Sequence, residues 1–254
     1  MNNTLCILLI DDSPDDRALA IRELRREIPD LQVQQITEAK GFAQALEGGD
    51  FDLVITAYRL QWTDGLQVLH AVKARWPECP VIMFTGTGTE EIAVEAMKAG
   101  LDEYVIKSPR HFARLPVTVQ LVLKRAQQRQ ALKEAEARYR NLFDGVPVGL
   151  YRTTPGGQAL DANIALVQMM GYPNRESLLT INAADTYADP EDRQRWQVLM
   201  EREGVVRDFE AQLRRRDGTI IWVRDSAQAV RDADGRVLYY EGSMEDVTER
   251  KRTE

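Results

Sequence analysis

The 254 residues carry 40 acidic against 33 basic side chains, a formal net charge of -7, and are 44% hydrophobic and 29% charged. That size and balance describe a soluble globular protein of one or two domains and argue against a dedicated nucleic-acid binder. No apolar run approaches the length of a membrane span. The N-terminus enters a predicted strand directly, without a signal peptide, so the expected compartment is the cytoplasm.

In chain order, Leu5–Ile10, Leu53–Thr56 and Val81–Thr85 are near-continuous apolar runs, the pattern of parallel strands buried on both faces. Leu31–Ile36 alternates and reads as an edge strand. A further run, Tyr104–Lys107, completes five strands. Ser13 and Pro14 start the first helix as cap and first-turn proline, with Ile21, Leu24 and Ile28 as its apolar stripe. Thr89 caps the fourth helix, and Gly100 ends it where a left-handed residue is cheap. Cys6 and Cys79 lack metal-type spacing and read as core thiols. Strands alternating with helices predict a doubly wound parallel sheet of flavodoxin type, which binds ligands beyond the carboxyl ends of its strands. There the sequence brings an acidic pair, Asp11-Asp12, then Ala57, Thr85 and Lys107. Taken singly, each has a bland explanation: a helix start, a β-propensity choice, a solvated lysine. Their order, together with Asp64-Gly65 and Tyr104, argues for one pocket.

This half resembles the receiver domain of bacterial two-component response regulators, extending over residues 1–125. The resemblance implies aspartate phosphorylation by a cognate histidine kinase, with the acceptor carboxylate at the position held by Ala57. It implies Mg²⁺ on Asp11, Asp12 and the backbone carbonyl of Arg59. Lys107 would hold a phosphate oxygen, and Thr85 and Tyr104 would form the switch pair. Phosphoryl transfer is mostly positioning and charge neutralisation, and its nucleophile here is a carboxylate. A methyl group cannot attack phosphorus or ligate a metal, so the pocket is expected to lose covalent chemistry and to bind Mg²⁺ more weakly. Thr56 is a poor substitute, because adjacent strand residues face opposite ways. The otherwise complete set favours a recent or engineered change at position 57 over an old one. Ser108 separates Lys107 from Pro109, which puts the family's usual cis peptide there in doubt.

From Lys124 to Arg140 the chain is rich in Gln, Arg, Lys, Glu and Ala, a long-helix composition. Leu132, Ala135, Tyr139 and Leu142 recur at three and four, in phase with Leu121 and Gln128. Two readings stand for this linker, set at residues 126–138: a parallel coiled coil that makes a homodimer, or one solvated connector helix.

Beyond it, Tyr151–Thr153 and Ala159–Ala162 flank Pro155-Gly156-Gly157 as short strands. Asn163 caps a helix ending at Gly171-Tyr172-Pro173, and Asp189–Glu203 is another helix, with Trp196 and Leu199 inward. Val206–Arg215, Thr219–Val230 and Val237–Asp246 are longer strands joined by Asp217-Gly218 and Asp234-Gly235 turns. The run from Asn163 to Gly171-Tyr172, Arg216-Asp217-Gly218-Thr219, Trp222, and the ending Asp246-Val247-Thr248-Glu249-Arg250 resemble a PAS sensor domain over residues 139–254, an α+β fold with an antiparallel sheet. Asn163, Trp222, Asp246 and Thr248 are its expected structural residues. Asp246 with Glu249 three residues on also fits a capping box. PAS domains bind haem, flavin, small metabolites or nothing. The only histidines, His70 and His111, and the only cysteines lie in the receiver half, so a histidine-ligated haem and a flavin–cysteine adduct are excluded in the PAS half. Met169, Met170 and Met200 read as core filler.

These observations predict a non-enzymatic response regulator, receiver plus PAS joined by a long helix, that switches by protein contacts. Its partners would be a histidine kinase, a second copy of itself, and either a downstream effector protein or an output domain missing from the chain; neither nucleic acid nor membrane is expected. The alternatives are a phosphorylation-independent scaffold or dimerisation module, and a small-molecule sensor acting through the PAS domain.

Overall fold

The structure is a computed structural model and describes residues 4–253. The chain divides into two compact units, Met1–Glu134 and Ala135–Glu254.

The first unit alternates strand and helix: β1 (Leu5–Ile10), α1 (Pro14–Glu27), β2 (Leu31–Ile36), α2 (Ala39–Gly48), β3 (Leu53–Thr56), α3 (Gly65–Arg75), β4 (Val81–Thr85), α4 (Glu90–Lys98), β5 (Glu103–Ile106) and the start of α5 (Pro109–Gly145). All pairings are parallel, in the order β2-β1-β3-β4-β5. Alternation along the buried strands splits the core into two layers. Leu8, Ile10, Val54 and Met83 pack on one face with Leu69 and Val72 of α3. Ile7, Leu9, Ile55 and Phe84 pack on the other with Leu24 of α1 and Leu115 of α5. As expected, Ser13 caps α1, Thr89 caps α4 and Gly100 follows α4 with φ +94°.

Two details differ from the sequence reading. Lys107 lies one residue past β5, although its amide still donates to Thr85 O at 2.8 Å. The long helix begins at Pro109, ahead of the proline-free stretch, and keeps Pro116 inside it. That proline removes one helical hydrogen bond, but Phe112, Leu115, Val119 and Val122 anchor the same turns in the core. No cis peptide bond occurs among the described residues. Farther along α5, Arg125, Arg129 and Lys133 share a face and pair with Glu103 at 3.5 Å, Asp102 at 2.5 Å and Glu78.

The second unit follows the end of α5 with β6 (Gly149–Thr153), β7 (Ala159–Ala162), α6 (Ile164–Met169), α7 (Arg175–Leu179), a 3₁₀ turn (Ala183–Thr186), α8 (Pro190–Glu203), β8 (Val205–Arg214), β9 (Ile220–Arg231), β10 (Val237–Asp246) and α9 (Thr248–Thr253). Its sheet is antiparallel, in the order β7-β6-β10-β9-β8. Gly218 and Gly235 turn the hairpins at φ +87° and +82°, conformations that glycine adopts without strain. Strands β8 and β9 are displaced by one residue from expectation, because Thr219 is held in its turn by Asp217 Oδ1 at 2.9 Å. Trp196, Met170 and Met200 are buried as expected. At the last helix Val247, not Asp246, takes the cap position. The Asp246 carboxylate instead accepts from Thr248 N at 2.9 Å, and the Val247 amide is drawn to Trp222 O at 2.9 Å.

Candidate functional site

At the carboxyl edge of the parallel sheet, four strand ends converge. Asp11 and Asp12 follow β1, Ala57 follows β3, Thr85 closes β4 and Lys107 follows β5. Ala57 is buried, and its amide donates to Ile10 O at 2.8 Å, so it lies beside the strand that carries the acidic pair. A β-carbon on Gly65 would approach Ala57 O to 2.6 Å, so only glycine lets α3 start this close. Thr56 is fully buried and spends its hydroxyl on Ala57 O at 2.9 Å.

The charges at this edge are paired with one another. Lys107 Nζ donates to Asp11 Oδ2 at 2.5 Å and to Asp16 Oδ2 at 2.7 Å. Asp11 Oδ1 accepts from Ser13 N at 2.9 Å, and Asp12 Oδ2 accepts from Gln61 N. With Lys107 and Asp11 both mostly buried, this ion pair is electrostatically stronger than a surface one. Arg59 lies in the loop between β3 and α3, where it bridges to Asp64.

Thr85 and Tyr104 lie close together at this edge. Thr85 Oγ1 donates to Thr87 O at 2.8 Å and accepts from Thr87 N at 3.2 Å. A β-carbon on Gly88 would collide with Tyr104 Oη and sit 3.7 Å from Thr85 Cγ2, so threonine, glycine and tyrosine form one cluster. The Tyr104 hydroxyl is buried without a hydrogen-bond partner, and burial, with Tyr58 nearby, pushes its pKa up.

Among the described residues, no group of three or more His, Cys, Asp or Glu side chains is arranged to hold a metal. Asp11 and Asp12 are two carboxylates, each with an oxygen engaged by a protein donor, and that donor set does not fit a tightly held divalent ion.

In the second unit the expected structural residues fall at the two ends of the fold. Asn163 uses its whole amide: Oδ1 accepts from Leu150 N at 2.8 Å and Leu166 N at 3.0 Å, while Nδ2 donates to Phe143 O at 3.0 Å and Val148 O at 2.8 Å. It thereby ties the end of α5 to β6 and α6. At the other end, Trp222 N donates to Thr248 Oγ1 at 2.9 Å, and Asp246 pairs with Arg215 at 2.8 Å.

Sequence reasoning missed three residues. Asp16 completes the lysine's coordination from the first turn of α1. Asp225 is 2% exposed in the interior of the second unit, where Tyr151 Oη donates to it at 2.8 Å and Trp196 Nε1 at 2.6 Å. Burial pushes its pKa up to about 6. Arg193, on α8, stacks over Trp196 at 4.7 Å and Tyr187 at 5.7 Å. Asp225 could have been found: it interrupts the inward series Ile221, Val223, Ala227 of an alternating strand.

Residues 7–119 match the family model described as response regulator receiver domain, and residues 159–244 match the PAS fold. The chain carries a receiver domain followed by a PAS domain. Its curated relatives include the regulatory protein LuxO of Vibrio vulnificus, 31% identical over 145 residues that make up 54% of this chain and 31% of LuxO. The probable diguanylate cyclase DgcE of Escherichia coli is 31% identical over 129 residues, 50% of this chain and 12% of DgcE. The chain therefore spans less than a third of the length of either relative. Among solved structures, the signal receiver domain of a putative LuxO repressor protein from Vibrio parahaemolyticus is similar at 24% identity and a TM-score of 0.47, covering 51% of this chain and 98% of that one. Receiver domains work with histidine kinases and effectors in two-component signalling and generally use Mg²⁺. No helix among the described residues is long and apolar enough to cross a membrane.

Proposed function

We propose that this chain is a cytoplasmic two-component response regulator whose receiver takes no phosphoryl group and signals through protein contacts. The observation that carries the reading is Ala57: a buried methyl stands at the strand end between the acidic pair and Lys107, where a nucleophilic carboxylate would have to be. Lys107 is neutralised by Asp11 and Asp16 instead. Thr85 and Tyr104 remain a switch pair that a docked partner can bias without phosphate. Mg²⁺ would bind weakly at Asp11, Asp12 and the Arg59 carbonyl, and no catalysis is assigned to the chain itself.

In this reading residues 1–125 are the receiver, 126–138 the helical linker and 139–254 the PAS domain. A homodimer through α5 is supported by Leu121, Leu132 and Leu142, which are 44%, 62% and 69% exposed on that helix. The output is an effector protein or a further domain, and neither nucleic acid nor membrane is engaged directly. Asn163, Trp222, Asp246 and Thr248 hold the two ends of the PAS domain. A second reading, a small-molecule sensor, is supported by a cavity of about 70 Å³ inside the PAS domain, lined by Tyr151, Leu166 and Trp196 among others.

The test is intact-mass analysis after incubation with acetyl phosphate and Mg²⁺, with the Ala57→Asp variant run alongside. The reading expects a phosphoryl adduct on the variant alone. An adduct on the unaltered chain would overturn it. No adduct on either would mean that the pocket is disabled beyond position 57, and the receiver would then be a scaffold only.

A further inference from the structure

The interior of the PAS domain holds an arginine with two of its donors unmet. Arg193 is 7% exposed, and its Nε and Nη2 are buried without a hydrogen-bond partner. These two atoms form one edge of the guanidinium, the edge whose parallel N–H bonds match the two oxygens of a carboxylate. Trp196 and Tyr187 lie against the guanidinium and stabilise its charge. A ring face attracts the charge but accepts nothing from donors that point outward in the guanidinium plane. Asp225, also buried inside the domain, feels the charge of Arg193, yet its oxygens serve Tyr151 and Trp196, and no ion pair with Arg193 forms among the described residues. Burying a guanidinium without in-plane acceptors is costly.

Arg193 lines the PAS cavity, whose other walls include Ala162, Leu166, Met170, Leu178 and Leu213. One wall of the cavity therefore carries a cationic fork, and the rest is mostly apolar, with Arg152, Thr153, Asp161 and Thr186 also on the lining. A volume of about 70 Å³, at ~10–15 Å³ for each water-sized site, has room for about five to seven non-hydrogen atoms.

We propose that this cavity binds a short-chain monocarboxylate, with its carboxylate bidentate on Nε and Nη2 of Arg193 and its hydrocarbon tail against Leu166, Met170 and Leu213. The proposal names the ligand class for the sensor reading and rests on that reading, while being independent of the state of the receiver. A second carboxylate on the ligand would be placed against Leu166, Met170 and Leu213, where it would lose its hydration without a partner, so dicarboxylates are disfavoured.

The experiment is calorimetric titration of the full chain with acetate, propionate and butyrate, with butyramide as the neutral counterpart of butyrate and succinate as the dicarboxylate. A ligand of this size binds in the millimolar range, so titration runs to about 10 mM. The indole N–H resonance of Trp196 is followed in parallel by NMR. Butyrate or propionate is expected to bind and shift that resonance, and butyramide and succinate are not. Arg193→Met keeps the side-chain volume, removes the charge and should abolish binding. Arg193→Lys keeps the charge without the fork and should weaken binding about tenfold; it decides the matter if the methionine variant does not fold. Binding of butyramide as tightly as butyrate would overturn the carboxylate assignment while leaving a sensor of neutral molecules. Binding of none of these ligands, or undiminished binding of butyrate by both variants, would overturn the proposal.

Discussion

The buried carboxyl of Asp225 sets a specific pH dependence on the PAS domain. Its pKa rises from 3.8 to about 6, chiefly because burial penalises the charged form; the donors Tyr151 and Trp196 and the charge of Arg193 pull the other way without cancelling it. An upward shift means that the folded domain holds a proton that the unfolded chain has already released. The contribution to stability is therefore greatest below the unfolded pKa and is lost as pH rises through about 6. A shift of about two units corresponds to ~3 kcal/mol in total. Between pH 5 and pH 7.5 about 1.4 kcal/mol of that is expressed, a tenfold change in the opening equilibrium. Hydrogen exchange of the β9 amides in the full chain, corrected for intrinsic rates, reads this equilibrium in the PAS domain alone. Protection at Val223 should increase about tenfold from pH 7.5 to pH 5, and Asp225→Asn should flatten the profile. An identical slope in both proteins, or protection that falls toward pH 5, would refute the assignment of the titration to Asp225.

Other perturbations have sharp expectations. Asn163→Ala leaves two buried amides and two carbonyls without their partner and should cost about 3 kcal/mol, measured as a lower urea midpoint of the PAS transition. Asp102 accepts from Lys73 at 2.9 Å, Arg129 at 2.5 Å and Val81 N at 3.0 Å. Asp102→Ala should destabilise the receiver by about 3 kcal/mol and speed amide exchange along α5 around Arg129; unchanged exchange there would mean that the ion pair does not hold the helix. Gly88→Ala forces the Tyr104 ring from its present position at a cost of ~1–3 kcal/mol, visible as a displaced Tyr104 ring resonance in NMR.

Much of the fold was legible because burial writes itself into period. The apolar runs of β1, β3 and β4 could sit only in a sheet covered on both faces, and their boundaries agree with the structure residue for residue. Caps were equally plain: Ser13, Thr89 and Asn163 each close the first turn of the helix they precede. The short α7 and the 3₁₀ turn after it escaped notice, since five and four residues carry too little periodicity. Their signal lay in the capping asparagines, Asn174 and Asn182. At the receiver edge, sequence supplied the participants but not their pairings. That Lys107 binds Asp11 and Asp16 depends on side chains 96 and 91 residues apart in sequence, which no local pattern encodes. The partnerless edge of Arg193 was invisible for the same reason, because an arginine on an amphipathic helix reads as solvated until its surroundings are known.

The bulge in β8 bears on self-association of another kind. That strand is the long edge of the PAS sheet, ten residues whose outer side is met only near its end, where Tyr187 bridges to Leu213 and Ala188 N donates to Gln212 O at 2.9 Å. Two of its residues, Arg207 and Asp208, oppose the single Ser226, and Asp208 sits at φ +47° with its amide on Ser226 Oγ. Beyond the bulge, Glu210 is held by Arg250 at 2.5 Å and Lys251 at 2.6 Å. A kinked, charged rim is a poor template for an incoming strand, so the sheet is guarded against edge-to-edge aggregation. Straightening it, by deleting one bulge residue and replacing the other with valine, would turn this margin into an amyloid-prone surface even with the core untouched.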